Sequence, residues 1–166
     1  MKQFRTLLLI AIITLGFNSI QAQTKVGHIS TDLLLSLMPE TKTLNADLEK
    51  LSKTYESELK AENDKLTAKL KKYEAEVASQ TDEVNQQRQM EVQQDQQSLY
   101  QASQIAQEDI RKKRDEKLKP ILEKARKAIE DVAADQGFTY VLDASSIIVA
   151  NGTDLLPAVK AKLGIQ

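Results

Sequence analysis

The chain contains no cysteine and no tryptophan, and aromatic residues make up only 4% of its 166 residues. Without cysteine no disulfide can staple it, so stability must come from packing or assembly. So few aromatic rings cannot fill a broad globular core and suit narrow seams between helices. His28 is the single histidine, and with no thiol or second imidazole it does not make a metal-ligand set. Glycine and proline are equally scarce in the middle of the chain, where Pro120 is the only residue of either kind between positions 40 and 136. A long stretch therefore carries almost nothing that would break a helix. An excess of one charge is also missing. The 23 basic and 24 acidic residues leave no basic stripe of the kind that tracks nucleic acid. No nucleophile, base and orienting group can be assembled into a catalytic constellation, and no cofactor motif is present. Asp143 lacks such partners and reads as the residue that fixes a turn.

What is present begins at the N-terminus. Lys2 and Arg5 precede an apolar run, Leu7 to Phe17, and a polar exit ending on small Ala22. That order is the pattern of a secretory signal peptide, expected over residues 1–22. The run is well short of the roughly 20 residues that span a bilayer, and no cysteine follows it for lipid attachment. Removing Lys2 and Arg5 leaves 21 basic against 24 acidic residues, a formal charge of −3 for residues 23–166.

Three regions follow. Lys25 to Ser30 predicts a strand, and Ser30 or Thr31 can cap a brief helix to Leu37. Met38-Pro39 breaks it, with Pro39 suited to open the next helix. Leu44, Leu48, Leu51, Tyr55, Leu59, Leu66, Leu70, Tyr73, Val77 and Val84 then recur at a period near 3.5, the coiled-coil signature. A second seam runs through Val92, Leu99, Ala102, Ala106, Ile110, Leu118, Leu122, Ala125, Ile129 and Val132. Pro120 removes one hydrogen bond from it and predicts a bend. A single helix over this stretch would be a rod of roughly 145 Å. Folding it near residues 85–91, where the seam weakens, gives two facing arms instead. Gly137 ends the helix. Phe138 to Leu142 predicts a strand with Phe138, Tyr140 and Leu142 on one face, and Ile147 to Ala150 a second. Asn151-Gly152 is a turn, and Asp154 caps a last helix. The predicted fold is mainly α, of the α+β class: an antiparallel coiled-coil hairpin over 39–136, on a small β-rich body made from 23–38 and 137–166. Under about 50 residues of body cannot bury a self-sufficient core, which points to a core shared between chains.

The order of Val26-Gly27-His28-Ile29, Leu33-Leu34, Met38-Pro39-Glu40, Pro120-Ile121, Ala128-Ile129, Val132-Ala133, Gly137-Phe138, Tyr140 to Ala144 and Asn151 to Leu163 resembles the family of the periplasmic chaperone Skp, also called OmpH. The resemblance spans residues 23–166. It implies a periplasmic homotrimer whose helical arms enclose a cavity for unfolded outer-membrane proteins, held without ATP or any cofactor and passed towards outer-membrane assembly machinery. It places trimerisation on the body, at Val26, Ile29, Val141, Leu142, Ile147, Ile148 and Val149. Candidate client contacts are Arg88, Met90, Val92, Leu99, Arg111 and Lys112; for Met90, Val92 and Leu99 a seam role is the first reading and client contact the alternative. The sequence departs from the family in charge. Between Thr81 and Ser98, Asp82, Glu83, Glu91 and Asp95 face Arg88 alone, and eleven glutamines lie between Gln80 and Gln107. This mildly acidic tip argues against contact with anionic lipid. The basic run Arg111-Lys112-Lys113-Arg114 is either a solvated face or a client contact. The rival function is a structural coiled-coil spacer or adaptor binding one folded partner.

Overall fold

A computed structural model describes residues 24–165; the expected signal segment, residues 1–22, lies outside them. Strand β1 (Val26–Ile29) leads into helix α1 (Thr31–Leu37). Ser30 caps α1, its hydroxyl accepting from Leu33 N at 3.3 Å. Met38 is extended, as a residue before proline must be, and Pro39 opens α2 (Pro39–Glu76) with Glu40 in its first turn. A 3₁₀ turn over Val77–Ser79 reverses the chain into α3 (Asp82–Asp135). The reversal is therefore at 77–81 and not at 85–91, which α3 crosses as uninterrupted helix. Thr81 makes the new start, since its hydroxyl accepts from Val84 N at 3.4 Å while Asp82 and Glu83 sit at the positive helix end. Asn85 Nδ2 ties the turn by donating to Val77 O at 3.0 Å.

Helix α3 ends where Gly137 takes φ 71°. Gly137 N donates to Ala134 O at 3.2 Å and Phe138 N to Ala133 O at 2.8 Å, the paired bonds of a Schellman cap. Phe138 then turns into the core. Lys25 holds this corner from the other terminus: its ammonium donates to Gln136 O at 2.8 Å and lies 4.1 Å from the Phe138 ring centre. Strand β2 (Tyr140–Asp143), β3 (Thr153–Asp154) and helix α4 (Leu156–Leu163) complete the body. The sheet has the order β2-β1-β3 and both pairings are parallel, Val26 opposite Tyr140 and Gly27 opposite Thr153.

Two strand expectations are corrected. Ile147 to Ala150 is not a strand. Asp143 accepts from Ser145 N at 2.8 Å and turns the chain away through a 3₁₀ turn, Ala144–Ser146. Bonds from Ser145 and Thr31 also hold the Asp143 carboxyl down at about 2. The place beside β1 goes to Thr153–Asp154 because the next residue, Leu155, fills the core and its N–H donates to His28 O at 2.9 Å. Phe138, moreover, does not share a face with Tyr140 and Leu142; it is buried before β2 begins, and they are exposed.

The core is also larger than the sequence implied. Ile29, Leu34, Met38, Phe138, Leu155 and Val159 pack with Leu44, Ile121, Ala125, Ala128 and Val132 from the base of the arm. The arm roots supply what the body lacks, so one chain closes this core without a second copy. In α3 the buried positions are Ala106, Ile121, Ala125, Ala128 and Val132, so Ile121 and Ala128 join the seam, whereas Leu122 and Ala102 point outward. Among the described residues no helix is long and apolar enough to cross a membrane.

Candidate functional site

The arm is held by polar rungs as well as by its seam. Glu40 pairs with Lys124, and Asp47 accepts from Lys117 at 3.5 Å. Tyr55 donates to Asp109 at 2.8 Å, Lys69 pairs with Asp95, Tyr73 donates to Glu91 at 2.8 Å, and Arg88 donates to Glu76 at 2.7 Å. In all six pairs the two residue numbers add to the same total, so the helices run antiparallel without slipping register from base to tip. Lys69 also reaches Glu91 at 2.7 Å. These donors hold carboxylates below their ordinary range: Glu91 through Lys69 and then Tyr73, Asp109 through Lys113 and then Tyr55, Glu40 through Lys124.

Apolar burial is unequal along the arm. At the base Leu44, Ile121 and Ala125 are buried, and midway Leu66 and Ala106; nearer the tip Leu70, Tyr73, Val84, Val92 and Leu99 are only half-buried. Just below the tip a groove of about 430 Å³ is lined by Leu70, Tyr73, Val77, Asn85, Arg88 and Val92. Within it the Arg88 guanidinium lies over the Tyr73 ring, 4.4 Å from its centre.

The expected contact residues divide by face. Arg88, Val92 and Leu99 belong to the seam between the arms; Met90, Arg111 and Lys112 point outward. Lys112 lies 4.0 Å from Glu116 and Lys113 2.7 Å from Asp109, so part of the basic run is paired along its own helix. Two outward residues were missed, Tyr100 and Ile105. Their signal was available, since both fall out of phase with the seam at Val92, Leu99, Ala106 and Ile110.

The body residues divide in the same way. Ile29 is 1% exposed inside the core of its own chain and is not free to meet another; Val141, paired with Gly27, packs against that core. Val26 and Leu142 face outward, with Tyr140 opposite Val26 and Leu142 opposite His28 in the pairing register. Ile147 is half-buried, while Ile148 and Val149 stand exposed beyond β2. Val26, Tyr140 and Leu142 thus give the sheet an outer face that is apolar and uncovered.

The comparisons with known proteins agree with this geometry. No curated protein matches the chain. A crystal structure described as that of an OmpH-like outer membrane chaperone from Caulobacter crescentus CB15 superposes with a TM-score of 0.76, over 86% of this chain and 85% of that one, at 21% identity. That likeness carries the fold alone: long paired helices on a small three-stranded sheet. The family model for outer membrane proteins of the OmpH-like type matches residues 25–163, from the strand that opens the sheet to the end of α4. On that match the chain belongs to the OmpH-like family.

Proposed function

We propose that this chain is a periplasmic holdase that acts without ATP, trimerises through the outer face of its sheet, and keeps unfolded outer-membrane β-barrel proteins from aggregating between its arms. Family membership supports a chaperone role, and the structural relative described as an outer membrane chaperone has the same architecture. The observation that carries the reading is the uncovered apolar sheet face of Val26, Tyr140 and Leu142 at the root of a closed, self-satisfied arm. Large apolar side chains on a sheet mark an association surface, and copies meeting there leave the arms pointing away around a common space. An unfolded β-barrel exposes apolar faces and unpaired strand edges. Several arms holding it weakly reach a high effective concentration without one tight site.

The test has two parts. The protein at micromolar concentration should suppress aggregation of several unrelated urea-unfolded β-barrel proteins on dilution. Tyr140→Asp with Leu142→Asp should leave a folded monomer in sedimentation that protects them poorly. A protein that protects none of them, and captures one folded envelope partner instead, would be the adaptor.

A further inference from the structure

The outward face of α3 between the tip and the middle of the arm is free of unpaired charge. Met90, Gln94, Gln97, Gln101 and Gln104 follow one another at alternating spacings of four and three, so they form a single line along the helix. The line lies opposite the seam of Val92, Leu99 and Ala106, and every residue on it is exposed. Gln86, Gln87 and Gln93 widen it. The only ionisable groups from Gln89 to Gln107 besides Tyr100 are Glu91 and Asp95, and both are engaged by Lys69 across the seam. Met90, Tyr100 and Ile105 stand along this strip at 62%, 66% and 67% exposure. The strip is bounded by charge at both ends, Asp82 and Glu83 at the tip and Glu108 and Arg111 towards the base.

Helix α2 is built differently. Its outer surface is laced with pairs along its own length, Lys53 to Glu49, Lys60 to Asp64 and Lys65 to Glu62, and apart from Val77 in the turn after it, it offers no large exposed apolar side chain. Solubility alone would be served by the same charged dressing on both helices. The outer surface of α2 is charged and free of large apolar groups; this strip of α3 is neutral, amide-rich and studded with three of them.

We infer that this strip of α3 is the surface that contacts the client, and that its occupant is an extended segment of unfolded polypeptide recognised through its backbone. The inference rests on the chaperone reading above. A glutamine side chain carries a donor pair and an acceptor with no charge, the same complement as the peptide group. A row of them can exchange hydrogen bonds with successive backbone amides whatever the sequence, while Met90, Tyr100 and Ile105 take up apolar side chains. From Gln87 to Gln104 the strip is roughly 25 Å long at 1.5 Å per residue, enough to lie along about seven residues of extended chain at ~3.3 Å each. Because neither side is charged, binding is insensitive to salt, unlike recognition by a basic surface.

The experiment measures the affinity of the assembled protein for a fluorescently labelled, urea-unfolded outer-membrane β-barrel protein at roughly 0.05 and 0.5 M sodium chloride, a range over which exposed charge interactions are screened out. The expected change with salt is less than about threefold. Met90→Ser with Tyr100→Ser and Ile105→Ser, and separately Gln94→Glu with Gln97→Glu and Gln101→Glu, should each weaken binding by roughly tenfold or more, a loss of about 1.4 kcal/mol. Lys60→Ala with Lys65→Ala on α2 should leave it unchanged, and all variants should keep wild-type helicity by circular dichroism. A photo-crosslinker at Gln97 should capture the client. A steep loss of affinity with salt, unchanged affinity in both strip variants, or a crosslink to α3 of a second copy or to lipid would each overturn the assignment while leaving the chaperone activity of the wild type intact. A wild type that holds no client would bring down both.

Discussion

Tyr55 on α2 donates its phenolic proton to Asp109 on α3 at 2.8 Å, and Asp109 also accepts from Lys113 one turn along its own helix at 2.7 Å. The rung sits in the same register as Glu40–Lys124 near the base and Glu76–Arg88 near the tip. Removing residues 56–62 together with 102–108, one heptad from each arm, keeps the remaining rungs and both seams in phase. Its thermal midpoint by circular dichroism should stay within about 5 °C of wild type, a change worth about 1 kcal/mol in a domain of this class. Removing 56–62 alone misaligns every rung on one side of the cut, and the melt should become broad and fall further.

The rungs also set a pH response. Asp109, Glu91 and Glu40 have folded pKa values below their unfolded ones. Their contribution is therefore complete above the ordinary carboxylate range, near pH 4, and is lost as pH falls through the lowered values. The melting midpoint should be nearly flat from about pH 8 to 5 and drop below about 4. In Tyr55→Phe with Tyr73→Phe the carboxyls return towards their ordinary values. The acid drop should then be shallower, and carboxyl-carbon NMR should show Asp109 titrating higher.

Burial predicts where the arm is strongest. Ile121→Ala empties a site that is 7% exposed within the core and should cost about 2–4 kcal/mol in denaturant unfolding. Leu99→Ala, at a half-buried seam position, should cost about half as much. Amide exchange should correspondingly protect residues 118–132 more than residues 84–99.

Gly27 is packed too closely to carry a side chain. A Cβ there would lie 2.3 Å from Leu155 Cδ1 and 3.0 Å from the Phe138 ring, and Leu155 is itself only 1% exposed. Gly27→Ala should destabilise the body by about 1–3 kcal/mol. Adding Leu155→Val, which shortens the obstructing branch, should restore part of the loss.

The helical seams were legible because a 3.5-residue period needs only the order of apolar residues. Their reversal was not, because no glycine marks it and the seam weakens past Thr81, near Gln86, inside α3. The better signal was local: a hydroxyl cap followed by Asp82 and Glu83. Strand assignment failed at Ile147 for a different reason. Its apolar run satisfies β-propensity, but the slot beside β1 is decided by which residue must enter the core afterwards, and Leu155 is visible there only in three dimensions. The candidate surface was more legible than that. Met90 stood out as an apolar residue near the tip, and the phase of the seam already set Tyr100 and Ile105 off it.

The sheet joins the two ends of the described chain, since β1 pairs in parallel with β2 and every residue of the hairpin lies between them. The first strand is thus made long before its partners exist. Closing such a distant contact across a disordered loop is entropically slow; zipping the two helices from the turn inward delivers Phe138 and Tyr140 to Val26 at almost no further cost. The arm is therefore also the folding scaffold for the body. The unfolded chain has to complete its most solvent-exposed part before it can assemble its most buried one.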